Sequence, residues 1–271
     1  MNNTRILLTG EGGQGIQTIA KALATAAVES GLECSYIPSF GVEQRGTPST
    51  AFITMGKAEI RYPLFDTADY CVILQKRAVS AVAQYISPQT KVIFDSSTIS
   101  PADLPKNAGI IFGLPATYYG YTRFTPRAFN LLILGKMSKV LNLSEQATWA
   151  TIMKLLGKKF KTKEIEEKNH EAFIFGRESV FEVKDFTKPT YVPKEDDLLF
   201  KGYKKTANIV PSRCKGCGIC IAKCPVGALK FSEELGVYAT PIPTIDLEKC
   251  IACGNCFRFC PDGAIKVDKD E

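Results

Sequence analysis

The chain has 271 residues, 45% of them apolar, with 34 Lys+Arg against 28 Asp+Glu, ten cysteines and one histidine. That length supports one large domain with a true core plus a small one, and the lone His170 excludes catalysis built on several histidines. No apolar run approaches the ~18 residues of a membrane helix, and residues 1–10 read as a strand rather than a signal peptide. A cytoplasmic chain without membrane contact is therefore expected. The net charge of +6 does not point to nucleic acid. The one basic excess, Lys158, Lys159, Lys161 and Lys163, runs straight into Glu164, Glu166 and Glu167, as a solvated helix face does.

In chain order, residues 5–10 (RILLTG) are an apolar run ending in glycine, the pattern of a buried strand. Residues 14–30 place Ile16, Ile19, Ala20, Leu23, Ala26 and Ala27 at helical spacing and stop at Gly31. Residues 34–38, 51–55, 70–74 and 91–95 read as strands, and 78–85 and 127–141 as helices. This alternation predicts an α/β domain with a mostly parallel sheet and helices on both faces. Residues 145–183 read as helical, with His170 an exposed histidine among charges. Residues 185–204 carry Pro189 and Pro193 and no periodicity, so they read as a linker. The expected organisation is an α/β domain over 1–184, a linker over 185–204 and a small domain over 205–271.

Eight of the ten cysteines fall in 214–260, in two copies of C-x2-C-x2-C-x3-C-P offset by 36 residues. In a reducing cytosol such density points to metal rather than disulfides. The unbroken triplets ending in Cys-Pro differ from the paired C-x2-C knuckles of zinc sites. They match the bacterial ferredoxin run, in which the fourth cysteine serves the other cluster. Cys214, Cys217, Cys220 and Cys260 are thus expected to hold one [4Fe–4S] cluster, and Cys250, Cys253, Cys256 and Cys224 a second. The proline after each fourth cysteine suits the first turn of a short helix carrying that cysteine across. Such a small polar tail should fold only with its clusters. Lys215, Lys223, Lys230, Lys249 and Arg258 stand near the cysteines and are expected to steer an acidic electron acceptor.

Gly10-Glu11-Gly12-Gly13-Gln14-Gly15, between a strand and a helix, fits G-x-G-x-x-G. A dinucleotide site also needs an acid near the end of the second strand, and Ile37-Pro38-Ser39-Phe40 offers none. A stand-alone NAD(P)H-linked iron–sulfur reductase is therefore the weaker reading. Backbone N–H groups at the helix start still make the loop approachable by an anion or a partner backbone.

The same loop resembles the G-x-G-G-Q-G opening of the gamma subunit of 2-oxoacid:ferredoxin oxidoreductases. Phe40-Gly41-Val42-Glu43-Gln44-Arg45-Gly46-Thr47-Pro48 is similar to that family's F-G-V-E-R-R-G-[AT]-P segment. Asn130-Leu131-Leu132-Ile133-Leu134-Gly135 resembles its N-x-x-x-L-G helix, and Asn169–Gly176 its N-x-x-A-F-x-x-G helix. The duplicated cysteine tail looks like the family's delta subunit, fused here behind gamma. Within the family, the F-G-V-E form is similar to pyruvate and branched-chain types, and the sequence departs from the pattern at Gln44.

The resemblance implies an electron-transfer and assembly subunit for the oxidative decarboxylation of a 2-oxoacid, with ferredoxin as acceptor. It implies alpha and beta partner subunits that carry thiamine diphosphate and magnesium, with coenzyme A taking the acyl group. Gly12, Gly13, Gln14, Glu43 and Arg45 become candidates for contact with coenzyme A or for the subunit junction. No residue of this chain is expected to act as acid, base or nucleophile.

Overall fold

The computed structural model describes residues 3–12, 14–40, 48–125, 128–179, 191–192 and 194–269, in two units, Met1–Thr190 and Tyr191–Glu271. The first unit holds a six-stranded sheet: β1 (Thr4–Glu11), β2 (Glu33–Phe40), β3 (Pro48–Gly56), β4 (Tyr70–Ile73), β5 (Lys91–Asp95) and β6 (Ile110–Leu114). The order is β2-β3-β1-β4-β5-β6. Strands β1, β4, β5 and β6 run parallel, whereas β3 is antiparallel to both β1 and β2. Strand β6, an apolar run between Gly109 and Pro115, was not anticipated from the sequence.

Alternation along the strands sends successive side chains to opposite faces. Ile6, Leu8, Val72, Leu74 and Ile93 face a layer built by α1 (Ile16–Glu29), α4 (Phe129–Val140), α5 (Glu145–Leu156) and α6 (Lys163–Glu178). Leu7, Cys71, Ile73, Val92 and Phe94 face the other way, onto Val82, Ile86, Ile99 and Leu104. Among the described residues that second face carries no helix layer of the expected kind. The helix read over 78–85 is a 3-10 turn at Lys76–Ala78, one turn of α2 (Val79–Val82) and a second 3-10 turn at Ala83–Tyr85. Pro88 follows at once and prevents continuation. On the first face, α3 (Ala116–Arg123) leads into α4.

Helices α4 and α6 touch backbone to backbone. A Cβ on Gly135 would lie 2.1 Å from the Phe173 carbonyl oxygen, and one on Gly176 equally close to that of Leu132. The two glycines that close the family-like helix motifs thus permit this approach. His170 is not a free surface group: its ring meets Trp149 edge-on at 4.5 Å.

The second unit contains β7 (Leu198–Gly202), β8 (Lys205–Ile209), β9 (Leu229–Leu235), β10 (Pro241–Ile245), β11 (Ile265–Lys269) and two one-turn helices, α7 (Ile219–Ala222) and α8 (Asn255–Arg258). Strands β11, β8 and β7 form one antiparallel sheet, and β10 and β9 another. The expected linker over 185–204 therefore needs correction at its far end. Leu198 and Phe200 alternate inward onto the core of this unit, so β7 belongs to the small domain. Upstream, the Tyr191 hydroxyl donates to the Leu235 carbonyl at 2.6 Å, and Lys194 pairs with Glu234 at 2.7 Å. Residues 180–190 and 193 lie outside the described residues.

Candidate metal centre

Two hollows of about 350 and 330 Å3 open on the small unit. Cys214, Cys217 and Cys220 line the first together with Cys260 from the other half of the repeat. Cys250, Cys253 and Cys256 line the second together with Cys224. Each triplet therefore meets the fourth cysteine of its twin.

Local backbone geometry builds this exchange. Gly218 and Gly254, at φ +72° and +76°, sit immediately before α7 and α8, where a side chain would resist the left-handed bend. The reversal presents Cys220 and Cys256, both buried, from within the one-turn helices. The short helix thus precedes the fourth cysteine, rather than following it as the Cys-Pro pattern suggested. Pro225 and Pro261 instead begin turns. Behind those turns, Ala228 N–H donates to Cys224 Sγ at 3.3 Å and Ala264 N–H to Cys260 Sγ at 3.2 Å. Ala252 N–H donates to Cys250 Sγ at 3.3 Å. Such bonds stabilise charge on sulfur.

Burial pushes the Cys214 thiol up to about 11; nearby Cys260, Cys217 and Asp262 add to the effect and a backbone bond from Gly216 opposes it. Burial likewise pushes Cys220 up to about 12, with Cys214 and Cys217 contributing. Cys256 is raised by burial, then by Cys250 and Cys253. Crowded, buried sulfurs of this kind become thiolates when a cationic metal core compensates their charge. Among the described residues, no three His, Cys, Asp or Glu side chains gather as they would about a single ion. One zinc ion draws all its sulfurs to within ~2.3 Å of a point. A four-iron cube spreads four thiolates around a larger body. The donor set, with one triplet and one crossing cysteine at each hollow, and the N–H donors fit [4Fe–4S] clusters.

The glycine-rich loop lies at the carboxyl end of β1. Gln14 fills it: Oε1 accepts from Glu11 N–H at 2.7 Å and Nε2 donates to the Leu74 carbonyl at 3.0 Å. A Cβ on Gly10 would sit 2.7 Å from that Oε1. Both ends of the Gln14 amide are thus engaged on backbone, which makes it an internal brace rather than a group offered to a ligand. Gly12 is in the turn, while Gly13, Glu43 and Arg45 lie outside the described residues. The two family-like asparagines also act within the fold. Asn130 packs against Gly15, and Asn169 accepts from Thr125 Oγ1 at 2.9 Å.

Two features escaped the sequence reading. Asp95, buried at the end of β5, accepts from Ser97 N–H at 3.0 Å, from Thr117 N–H at 3.2 Å and from the Thr117 hydroxyl. Burial raises its pKa against those bonds. Its signal was an Asp-Ser-Ser run directly after an apolar strand. The second feature is an ion pair between Lys215 Nζ and Asp262 at 2.8 Å, on the wall of the first hollow. Lys215 is thereby withdrawn from the expected steering role, and Lys249 is paired with Asp246 at 3.2 Å.

Comparison with known proteins places both units. Residues 5–179 match the family described as pyruvate ferredoxin/flavodoxin oxidoreductase, and residues 213–264 match the 4Fe-4S dicluster domain. The 2-oxoglutarate synthase subunit KorC of Archaeoglobus fulgidus is 30% identical over 174 residues, 64% of this chain and 86% of KorC. The ketoisovalerate oxidoreductase subunit VorA of Methanothermobacter thermautotrophicus is 31% identical over 133 residues, 49% of this chain. The match covers 27% of VorA, so the chain spans about a quarter of that relative's length. A solved 2-oxoglutarate:ferredoxin oxidoreductase from Magnetococcus marinus, with 2-oxoglutarate, coenzyme A and succinyl-CoA bound, shares the fold at a TM-score of 0.59 and 24% identity. That likeness covers 65% of this chain and 31% of the other.

Proposed function

The chain belongs to the pyruvate ferredoxin/flavodoxin oxidoreductase family, and from that premise we propose that it is a fused gamma–delta subunit, for electron transfer and assembly, of a thiamine-diphosphate-dependent, CoA-acylating 2-oxoacid:ferredoxin oxidoreductase of the cytoplasm. Among the described residues no helix is long and apolar enough to cross a membrane. The observation that carries the proposal is the pair of hollows, each lined by one triplet and the other half's fourth cysteine.

In this reading Cys214, Cys217, Cys220 and Cys260 hold one [4Fe–4S] cluster, and Cys250, Cys253, Cys256 and Cys224 the other. Bound there, such clusters supply single-electron exchange. The chain itself contributes sulfur ligands, N–H donors to those sulfurs and a core in which Cys220, Cys250 and Cys256 pack among Ile209, Leu229 and Ile242. Thiamine diphosphate and magnesium belong on alpha and beta partners. Gly12, Gly13, Glu43 and Arg45 serve contact with coenzyme A or the subunit junction, a reading that rests on the likeness of their two segments to the family's motifs. Gln14 contributes there by bracing the loop. The 2-oxoacid is pyruvate or a branched-chain acid, in keeping with the F-G-V-E segment and the likeness to VorA.

Co-purification with its alpha and beta chains, followed by iron analysis and turnover assays, tests this. Pyruvate, 2-ketoisovalerate and 2-oxoglutarate would each be offered with coenzyme A and ferredoxin. The expected result is about eight iron atoms per chain (two cubanes) and turnover by the complex only, requiring coenzyme A. Four irons, stoichiometric zinc, or turnover by the single chain would overturn the reading.

A further inference from the structure

The two cluster sites are copies by sequence, so the positions at which the copies differ show where their properties diverge. At the first hollow, the residue after the leading cysteine is Lys215, and the second residue after the crossing Cys260 is Asp262. At the second hollow the equivalent residues are Ile251 and Val226. All four line their hollows. An ion pair at one site has therefore been exchanged for two aliphatic side chains at the other, with both members replaced together.

The two pairs also differ in shelter. Lys215 and Asp262 are half-buried, whereas Ile251 and Val226 are exposed. Sheltered charges act through a lower effective dielectric than charges in open water. Asp262 and Lys215 reach the sulfur layer, since they line the same hollow as Cys214, Cys217, Cys220 and Cys260. Hydrogen bonding to the crossing cysteines does not separate the sites, since Cys224 and Cys260 accept equivalent bonds from Ala228 and Ala264. The potentials of such clusters follow nearby charge, hydrogen bonds and solvent exposure. Here charge and exposure differ.

We propose that Lys215 and Asp262 are positioning residues that set the reduction potential of the cluster at Cys214, Cys217, Cys220 and Cys260 apart from that of its twin. The proposal rests on the ligand assignment made above. Removing the carboxylate takes one negative charge away from the cluster wall and favours the added electron, so Asp262→Asn should raise one midpoint potential. Lys215→Met leaves uncompensated negative charge and should lower the same one. Each shift should be on the order of tenfold in the reduced-to-oxidised ratio at a fixed potential. The other cluster should stay in place.

The test is an EPR-monitored redox titration of the whole complex, prepared without oxygen, with iron counted in each sample. Two midpoints in the native protein, and opposite shifts of one of them in the two variants at full iron content, support the proposal. A native protein with fewer than two clusters defeats the ligand assignment instead, which keeps the two failures apart. Full iron with neither midpoint moved, with both moved alike, or with the two variants shifting in one direction overturns the proposal. If the single variants lose iron, the double variant Lys215→Ile, Asp262→Val, which copies the other site, decides. Retained iron with converging midpoints supports the proposal, whereas unchanged separation or renewed iron loss overturns it.

Discussion

In the α/β unit the innermost layer is hydrocarbon: Ile6, Leu8, Ile19, Leu23, Ile93 and Phe173 are wholly out of water. In the small unit the corresponding layer is shared, with Cys220, Cys250 and Cys256 packed among Ala207, Ile209, Ile242 and Ile265. Each fully buried aliphatic side chain contributes roughly 1.5–3 kcal/mol, so the first unit carries its stability in its own side chains. The second has placed part of its interior in groups that are satisfied by metal, and domains of that size bury too little surface to compensate easily. The contrast predicts a unit that folds by burial beside a unit whose folding is coupled to iron binding.

Stripping iron with a chelator under reducing conditions is the largest test of this contrast. Amide hydrogen exchange should lose protection across 194–269 while β1, β4, β5 and α1 stay protected. Equal loss in both units, or protection retained in β8 and β11, would break the comparison. Next in size are the crossing cysteines. Cys260→Ala should remove the cluster of the first triplet, and Cys224→Ala that of the second, since those are the hollows they line. Iron counting and EPR of the remaining signal check this, and loss of the cluster nearest in sequence would contradict it. In the α/β unit the sharpest probe is Gly176→Ala, which sets a methyl against the Leu132 carbonyl and forces α4 and α6 apart. Overpacking of this kind costs about 1–3 kcal/mol. A lowered Tm of the α/β transition with unchanged iron content is expected, and an unchanged Tm would remove the close approach as its cause.

The contrast also explains which features are legible in the amino-acid sequence and which are not. β1 and α1 are legible because Ile6, Leu8, Ile16, Ile19 and Leu23 declare their periods within a few residues. The cysteine quartets are legible because three ligands two residues apart are a local signature. β7 is hidden because Leu198 and Phe200 alternate over a few residues beside charges and Pro193, and only the hairpin pairing with the adjacent β8 makes a strand of them. The brace by Gln14 depends on Leu74, 60 residues away, so by sequence the loop looks open to a ligand. The Lys215–Asp262 pair joins the two halves of the repeat. It leaves a trace only when the halves are aligned and their differences are read as a pair.

The smallest effect concerns the exposed cations of the small unit, where charge lies in water. Residues 201–271 hold 11 Lys+Arg and 8 Asp+Glu, and two clusters with their thiolates would each bring about −2. Of the five cations expected to steer an acceptor, Lys215 is sheltered in its ion pair, and reversing it would disturb a cluster wall instead. Lys223 and Arg258 remain exposed, with Lys223 Nζ 5.3 Å from the Phe259 ring and with exposed Phe257 nearby in sequence. A cationic rim on an apolar face attracts an acidic carrier at long range and leaves final contact to the rings. Reversing both, Lys223→Glu with Arg258→Glu, should slow ferredoxin reduction by the complete complex several-fold at about 0.1 M salt. The gap should close as the Debye length falls from ~10 Å at 0.1 M toward ~3 Å at 1 M. Reduction of a neutral dye by the same complex should not change at either salt concentration. If dye and ferredoxin slow together, the substitutions have damaged the cluster. If neither slows, the rim takes no part in steering, and the difference between the two cluster walls lies in their potentials alone.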